Sequence, residues 1–361
     1  MKRFDRVTAT LTAALFCFLL FGMGLWTALA PDPAYVVSER RKITPMPTRL
    51  AQLDSLEDYL LDTLPPREAL RRVRNQWLRH FLGFRLIDGH FLTENGVAKD
   101  LSASSLSLAE GNAVFFHKLK ETYFPDSHRV YYALIPDKGQ YAHEGITLDY
   151  GLFADTLSAK EGYIPLAHAL TLNDYYATDI HWRQEALFPV AAALGNAMGF
   201  APPDPEAYTE KTLGSFTGAL SLGAALSHGS DEMTLLIPQS APTVTYPDGV
   251  VAGLYDEGLF SDSLDPYDVF LRGETVGKYG NFHIHVENRE NTSGRRLILF
   301  RDSFARSLTP LLLHAYSEII LVDLRAPFYR GGSWEEDLWA DGSTDILFLV
   351  STHTYATTRF F

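Results

Sequence analysis

Residues Arg295–Arg325 read RRLILFRDSFARSLTPLLLHAYSEIILVDLR. Two continuously apolar runs, Leu297–Phe300 and Ile319–Val322, flank an amphipathic stretch expected to be helical from about Phe304 to Tyr316. Runs of this length without polar alternation suit strands buried on both faces of a parallel sheet. Strand, helix, strand in this order is the repeating unit of an α/β fold. The first strand halts at Arg301-Asp302-Ser303, where the helix begins at once. In open α/β sheets that edge is where ligands bind. A serine there either caps the helix or presents a nucleophile, and this segment alone leaves both readings open.

Working outward, RVYYALIP (129–136) and TDILFLVST (344–352) are further runs of the buried-strand type. HWRQEALFPVAAALGNAMG (181–199) adds another helical stretch. These elements predict an α/β sheet with helices on both faces. Residues 201–278 carry the glycine-rich GSFTGALSLGAALSHGS and read as an irregular insertion. RLIDGHFLTENG (85–96) predicts a hairpin turning at Asp88-Gly89. Upstream, Leu56, Tyr59, Leu60, Leu64, Leu70, Val73, Trp77 and Phe81 recur at helical spacing, and Pro65-Pro66 breaks them into two helices.

The chain begins MKRFDRVTATLTAALFCFLLFGMGLWTALAPDP. Lys2, Arg3 and Arg6 precede an uncharged run, Val7–Ala30, long enough to cross a bilayer core. The basic flank orients the remainder outside the cytoplasm. Ala28-Leu29-Ala30 offers a signal-peptidase site, which would release the protein, but the run is long for a signal peptide, so a retained anchor is the expectation. The expected organisation is an anchor over 1–31, a linker and helical pair over 32–85, and an α/β domain over 86–361.

The 361 residues carry a net charge of −13, which opposes a nucleic-acid partner. The one cysteine, Cys17, lies in the apolar N-terminal run. That excludes internal disulfides, cysteine metal sites and thiol catalysis. His283 and His285 alternate on an expected strand, but no third ligand is evident, and no metal or cofactor is expected.

A nucleophilic serine needs a base, and the base needs an orienting carboxylate. YYATDIHW (175–182) supplies Asp179 and His181, two residues apart, which on extended backbone point to one side. The bland alternative is a helix cap beside a surface histidine. Lys138 and His143, after the 129–136 run, fall at the same sheet edge, where Lys138 is placed to neutralise an anionic substrate. Gly280 and Asn281 are oxyanion-hole candidates, since glycine admits close backbone approach and asparagine donates.

Taken together, these segments resemble the DHHW family, and through it the SGNH-like polysaccharide O-acetyltransferase domains of the AlgX/AlgJ type. The resemblance is carried by SERRKITPMPTRL (38–50), LEDYLLDTLPPREALRRVRNQWL (56–78), GHFL (89–92), IPDKGQY (135–141), YYATDIHW (175–182), GKYGNF (277–282) and the serine block from Leu297. Ile180 replaces the first histidine of D-H-H-W, while Asp179, His181 and Trp182 are kept; Trp182 is a substrate-side candidate. Arg301 stands where SGNH hydrolases have the glycine of G-D-S, bringing a charge to the oxyanion side. The resemblance implies an SGNH-hydrolase-like three-layer α/β/α sandwich with a mostly parallel sheet. It implies a Ser303–His181–Asp179 triad transferring an acetyl group to a cell-surface polysaccharide. A membrane-bound O-acyltransferase is the implied acetyl donor. An SGNH-type carbohydrate esterase, or an anchored polysaccharide-binding scaffold without activity, are the alternatives.

Overall fold

A computed structural model describes residues 2–127, 129–142, 148–226, 229–273, 282–325 and 338–360. The chain divides into two units, one of residues 1–84 with 222–227, the other of residues 85–221 with 228–361.

The first unit opens with α1 (Lys2–Leu29), in which the 23 residues Val7–Leu29 are long and apolar enough to cross a membrane. After β1 (Tyr35–Val36) and β2 (Arg41–Lys42), which pair antiparallel, come α2 (Leu56–Thr63) and α3 (Arg67–Leu82). Pro65-Pro66 separates the two helices as their missing N–H groups require. Asp62, at the end of α2, accepts both guanidinium forks of Arg41 at 2.7 and 2.8 Å and the Thr44 N–H at 2.8 Å. That pairing with Arg41 holds its carboxyl well below the usual range and clips the segment after α1 onto α2. The apolar spacing predicted for these helices is present, but it does not build a core: Leu70, Val73, Trp77 and Phe81 are all exposed.

The second unit starts with β3 (Leu86–Ile87), β4 (His90–Thr93) and β5 (Gly96–Lys99), a three-stranded antiparallel sheet. Asp88 and Gly89 both have positive φ, as a two-residue turn of the mirror-image kind requires. Then follow α4 (Leu106–Tyr123), β6 (Val130–Ile135), α5 (Tyr150–Ser158), α6 (Phe188–Met198), β7 (Tyr208–Phe216), α7 (Ala219–Ala224), β8 (Asp231–Pro238), β9 (Thr243–Thr245), β10 (Val251–Ala252) and α8 (Leu259–Asp262). The chain closes with β11 (His283–Glu287), β12 (Arg296–Arg301), α9 (Ala305–Leu312), β13 (Glu318–Asp323), β14 (Thr344–Ser351) and α10 (Thr352–Thr357).

The central sheet has the order β10-β9-β11-β13-β12-β14-β6. Its two faces sort the side chains by parity. Leu297, Leu299, Ile319, Leu321, Leu347 and Leu349 join one core with residues of α6 and α9. Ile298, Phe300, Ile320, Val322, Ile346 and Phe348 join the other with residues of α4, α5 and α10. Burial on both faces explains why these strands are uninterruptedly apolar.

The expectation of a mostly parallel sheet needs correction. Among the described residues β13, β12, β14 and β6 run parallel, whereas β11, β9 and β10 are antiparallel additions. Antiparallel neighbours need only short returns, and the Tyr246–Val250 turn between β9 and β10 is one. Residues 201–278, expected to be irregular, contain the long β7–β8 ribbon, with a register shift between Thr212 and Gly214. Helix α9 is shorter than predicted, because after Leu312 the backbone tightens and both Ala315 and Tyr316 bond back to the Leu312 carbonyl. Register pairs Arg301 with Asp323 and Leu349, and Ser351 with Ile135, so the four parallel strands end together.

Candidate active site

At that shared edge the capping role falls to Asp302 and not to Ser303. Asp302 is fully buried and saturated: Oδ1 accepts the Phe304 N–H at 3.1 Å, and Oδ2 accepts the Ser351 N–H at 2.8 Å and its hydroxyl at 2.6 Å. It closes the turn and ties the end of β12 to the end of β14. The Ser303 hydroxyl is thereby left over. It lies 2.9 Å from Nε2 of His181.

Nδ1 of His181 is 2.7 Å from Oδ1 of Asp179. A carboxylate only accepts, so Nδ1 carries the proton and Nε2 is the acceptor facing Ser303. The backbone reaches this arrangement differently from the extended form expected. Residues 177–180 bend, Oδ1 of Asp179 also accepts the His181 N–H at 3.1 Å, and Tyr176 N–H closes the loop onto the His181 carbonyl at 3.1 Å.

The loop is held from several sides. Oδ2 of Asp179 accepts the Ala219 N–H at 2.9 Å. Asp231, at the start of β8, accepts the N–H groups of Ala177 and Thr178, both at 2.7 Å, and the Thr178 hydroxyl. The Val97 N–H donates to the Ala177 carbonyl at 2.9 Å.

Lys138, placed by sequence at the substrate, does something else. It is buried, and Nζ donates to the carbonyls of Tyr176, Ala177 and Asp179 at 2.7, 3.2 and 3.3 Å. It stitches the loop together from beneath, and burial pulls its pKa down to about 8. Trp182 also turns inward. Fully buried, it donates through Nε1 to the Phe304 carbonyl at 3.0 Å and to Oγ of Ser307 at 2.9 Å. Arg301 has no exposure and pairs with Asp323 at 3.0 Å, so its charge serves the strand ends and not an oxyanion. Burial opposes the charge of Asp323, yet Arg301 and Arg325 keep its carboxyl below the ordinary range. Gly280, Asn281 and His143 lie outside the described residues. His285, once weighed as a metal ligand, sits 2.9 Å from Glu318.

Three contributors escaped the sequence reading. Tyr267 stacks on the His181 ring at 3.8 Å between centroids and 7° between planes, while Phe304 packs at 4.8 Å. The Tyr267 hydroxyl donates to Oγ of Ser307 at 2.6 Å, so one serine anchors both this ring and Trp182. The third is His353, at the beginning of α10. Its Nδ1 is buried with no hydrogen-bond partner among the described residues. Burial, and then the charge of Lys99, pull its pKa down to about 4; it also feels Asp302 and His181. A histidine just past the carboxyl end of a parallel strand was the available signal.

This depression has a measurable sign. The ordinary value is 6.5 and the folded value about 4, so between them the unfolded chain binds more protons. The stability from this site is full above pH 6.5 and is lost as pH falls toward 4. The window spans roughly 3 kcal/mol. His353→Asn is expected to flatten the denaturation free energy against pH across that window, measured by chemical unfolding at each pH. A slope equal to wild type would show that His353 does not carry the acid sensitivity.

No protein-family model matches the chain, and no curated protein matches it in sequence. Solved structures do match. A DHHW family protein from Eubacterium siraeum superposes with a TM-score of 0.57 at 19% identity, over 76% of this chain and 94% of that one. Bacillus cereus PatB1 with a sulfonyl adduct gives 0.58 at 17% identity, over 75% and 97%. The O-acetyltransferase domain of Pseudomonas putida AlgJ gives 0.44 at 11% identity, over 75% and 93%. The chain therefore shares its fold with the DHHW protein and PatB1, the fold that its motifs resembled.

Proposed function

We propose that this chain is an extracytoplasmic serine-dependent O-acetyltransferase that modifies a cell-surface polysaccharide through an acyl-serine intermediate. One observation carries the reading: the unbroken relay from Asp179 through His181 to Ser303, at 2.7 and 2.9 Å. In the first half-reaction, Nε2 of His181 takes the Ser303 proton as Oγ attacks the acyl carbonyl. The imidazolium then protonates the leaving group as the donor's acyl bond breaks. In the second half, Nε2 deprotonates a sugar hydroxyl, whose oxygen attacks the acyl-serine. The tetrahedral intermediate collapses, the ester passes to the sugar, and His181 returns the proton to Ser303. Asp179 holds the tautomer and balances the imidazolium charge throughout. The start of α9 directs its positive end toward the oxyanion. Family resemblance supports acetyl as the group and a polysaccharide as acceptor. Lys2, Arg3 and Arg6 before the apolar helix support an extracytoplasmic site, where a membrane-bound O-acyltransferase would supply the acetyl group.

The test uses the full chain in detergent with p-nitrophenyl acetate and, separately, an aryl sulfonyl fluoride. Wild type is expected to accumulate one acetyl or sulfonyl group on Ser303, located by peptide mass spectrometry. Ser303→Ala is expected to lose both adducts and at least about 10³-fold in turnover. An unmodified wild type, or an adduct on another residue, would remove the proposal.

A further inference from the structure

Within the first unit, α3 carries an apolar stripe that the described residues of that unit do not cover. Along α3, Leu70, Val73, Trp77 and Phe81 are 47, 66, 51 and 76% exposed. At 100° per residue these four lie on one side of the helix. The opposite side is anchored: Asn75 is fully buried and donates to the Ala224 carbonyl at 2.7 Å, and Arg71 reaches the Gly223 carbonyl. Leu53, just before α2, and Leu56 and Leu60 along it are likewise exposed. An uncovered stripe this regular marks an interaction surface, since single exposed apolar residues need no partner but a continuous row does.

Composition and position identify the partner. Of the five arginines in α3, Arg67 and Arg71 pair with Glu39 and Glu68 inside the unit, Arg72 and Arg79 lie across the helix, and Arg74 flanks the stripe. A basic helix with tryptophan, phenylalanine and leucine on its apolar side is the pattern that lies in a membrane interface. Trp77 suits the headgroup level, and arginine stems extend to phosphates while their methylenes stay in the apolar zone. The same unit begins with the Val7–Leu29 helix, whose large side chains are similarly exposed.

We propose that α3 lies on the bilayer surface with Leu70, Val73, Trp77 and Phe81 in the interface and Arg74, which flanks that stripe, at the level of the headgroups. This rests on reading α1 as a membrane anchor. It makes the stem of the protein a two-point attachment, one segment crossing and one lying flat.

Cys17 is the only cysteine, which gives both attachments their own probe. The full chain is reconstituted in phosphatidylcholine vesicles with and without phosphatidylglycerol. Bimane is placed on Cys17 of the wild type, or on V73C, F81C or R79C in a Cys17→Ser background. Labels at 73 and 81 are expected to be quenched several-fold more by a shallow nitroxide lipid than by aqueous iodide, and more so with phosphatidylglycerol. The label at 79, across the helix, is expected to favour iodide. Iodide quenching at 73 and 81 equal to that at 79 would overturn the inference. Shielding from both quenchers that grows with protein density would also overturn it, in favour of a second copy. Deep-nitroxide quenching at Cys17 reports on the anchor separately. Loss of the α3 signal with Cys17 still quenched refutes the surface contact alone, and loss of both refutes the anchor as well.

Discussion

Asp179→Asn is expected to lower turnover by about 10³–10⁴-fold while leaving the fold intact. Both carboxylate oxygens are in use. Oδ1 receives Nδ1–H and the backbone N–H of His181 at 2.7 and 3.1 Å, and Oδ2 receives the Ala219 N–H at 2.9 Å. An asparagine satisfies one side only. With its amide nitrogen toward His181, two N–H groups meet a donor, and the imidazole must move its proton to Nε2. That nitrogen then faces Ser303 as a donor and cannot act as its base. With the amide nitrogen toward Ala219, the tautomer survives, but the negative charge that balances the imidazolium is gone. Both orientations therefore cost transition-state stabilisation, and neither changes side-chain volume. Single-turnover release of p-nitrophenol, with thermal melting as the control for folding, distinguishes this from collapse. Activity within tenfold of wild type would reduce Asp179 to a bracket for its loop.

The sequence made much of this legible, for reasons visible in particular residues. The four parallel strands were readable because both of their faces are covered, which forces apolar residues at every position from Leu297 to Phe300 and from Ile346 to Val350. The edge strands β9 and β10, of three and two residues, carry no periodicity to detect. Ser303 stood out as a candidate by its place at a strand end, and Asp179 and His181 by residue type and spacing. What sequence could not give was direction. Lys138, Trp182 and Arg301 were assigned to a ligand because of where they sit along the chain, yet all three point into the protein. Side-chain direction is fixed by tertiary partners such as Asp323, Ser307 and the carbonyls of residues 176–179, which lie far off in sequence. The stripe on α3 shows the converse. Spacing reports that one side of a helix is apolar and is silent about what faces it.

Glycine at 218 sets the position of that carboxylate, and Gly218→Ala is the second large effect expected. A Cβ there would stand 2.3 Å from Cβ, 2.6 Å from Cα and 2.7 Å from the backbone N of Asp179. No atom in that list is the end of a flexible side chain, so relief requires backbone to move. The two hydrogen bonds beside it would be strained together: Gly218 N–H to the Thr178 hydroxyl at 2.8 Å, and Ala219 N–H to Asp179 at 2.9 Å. The 177–179 loop is also packed tightly on Gly96, where an added Cβ would lie 2.0 Å from the Ala177 carbonyl oxygen. Overpacking of a closed site costs about 1–3 kcal/mol, and a shift of about 1 Å in a group that orients a base costs about 10²-fold in rate. Gly218→Ala should therefore lose both stability and Ser303 reactivity, read by thermal melting and by the rate of sulfonyl labelling. Gly253→Ala is the matched control, since nothing lies within 4 Å of its added methyl, and its stability should stay within about 0.5 kcal/mol of wild type. If Gly218→Ala melted and reacted as the wild type does, the loop would be free to yield and Asp179 would owe its place to the hydrogen bonds alone.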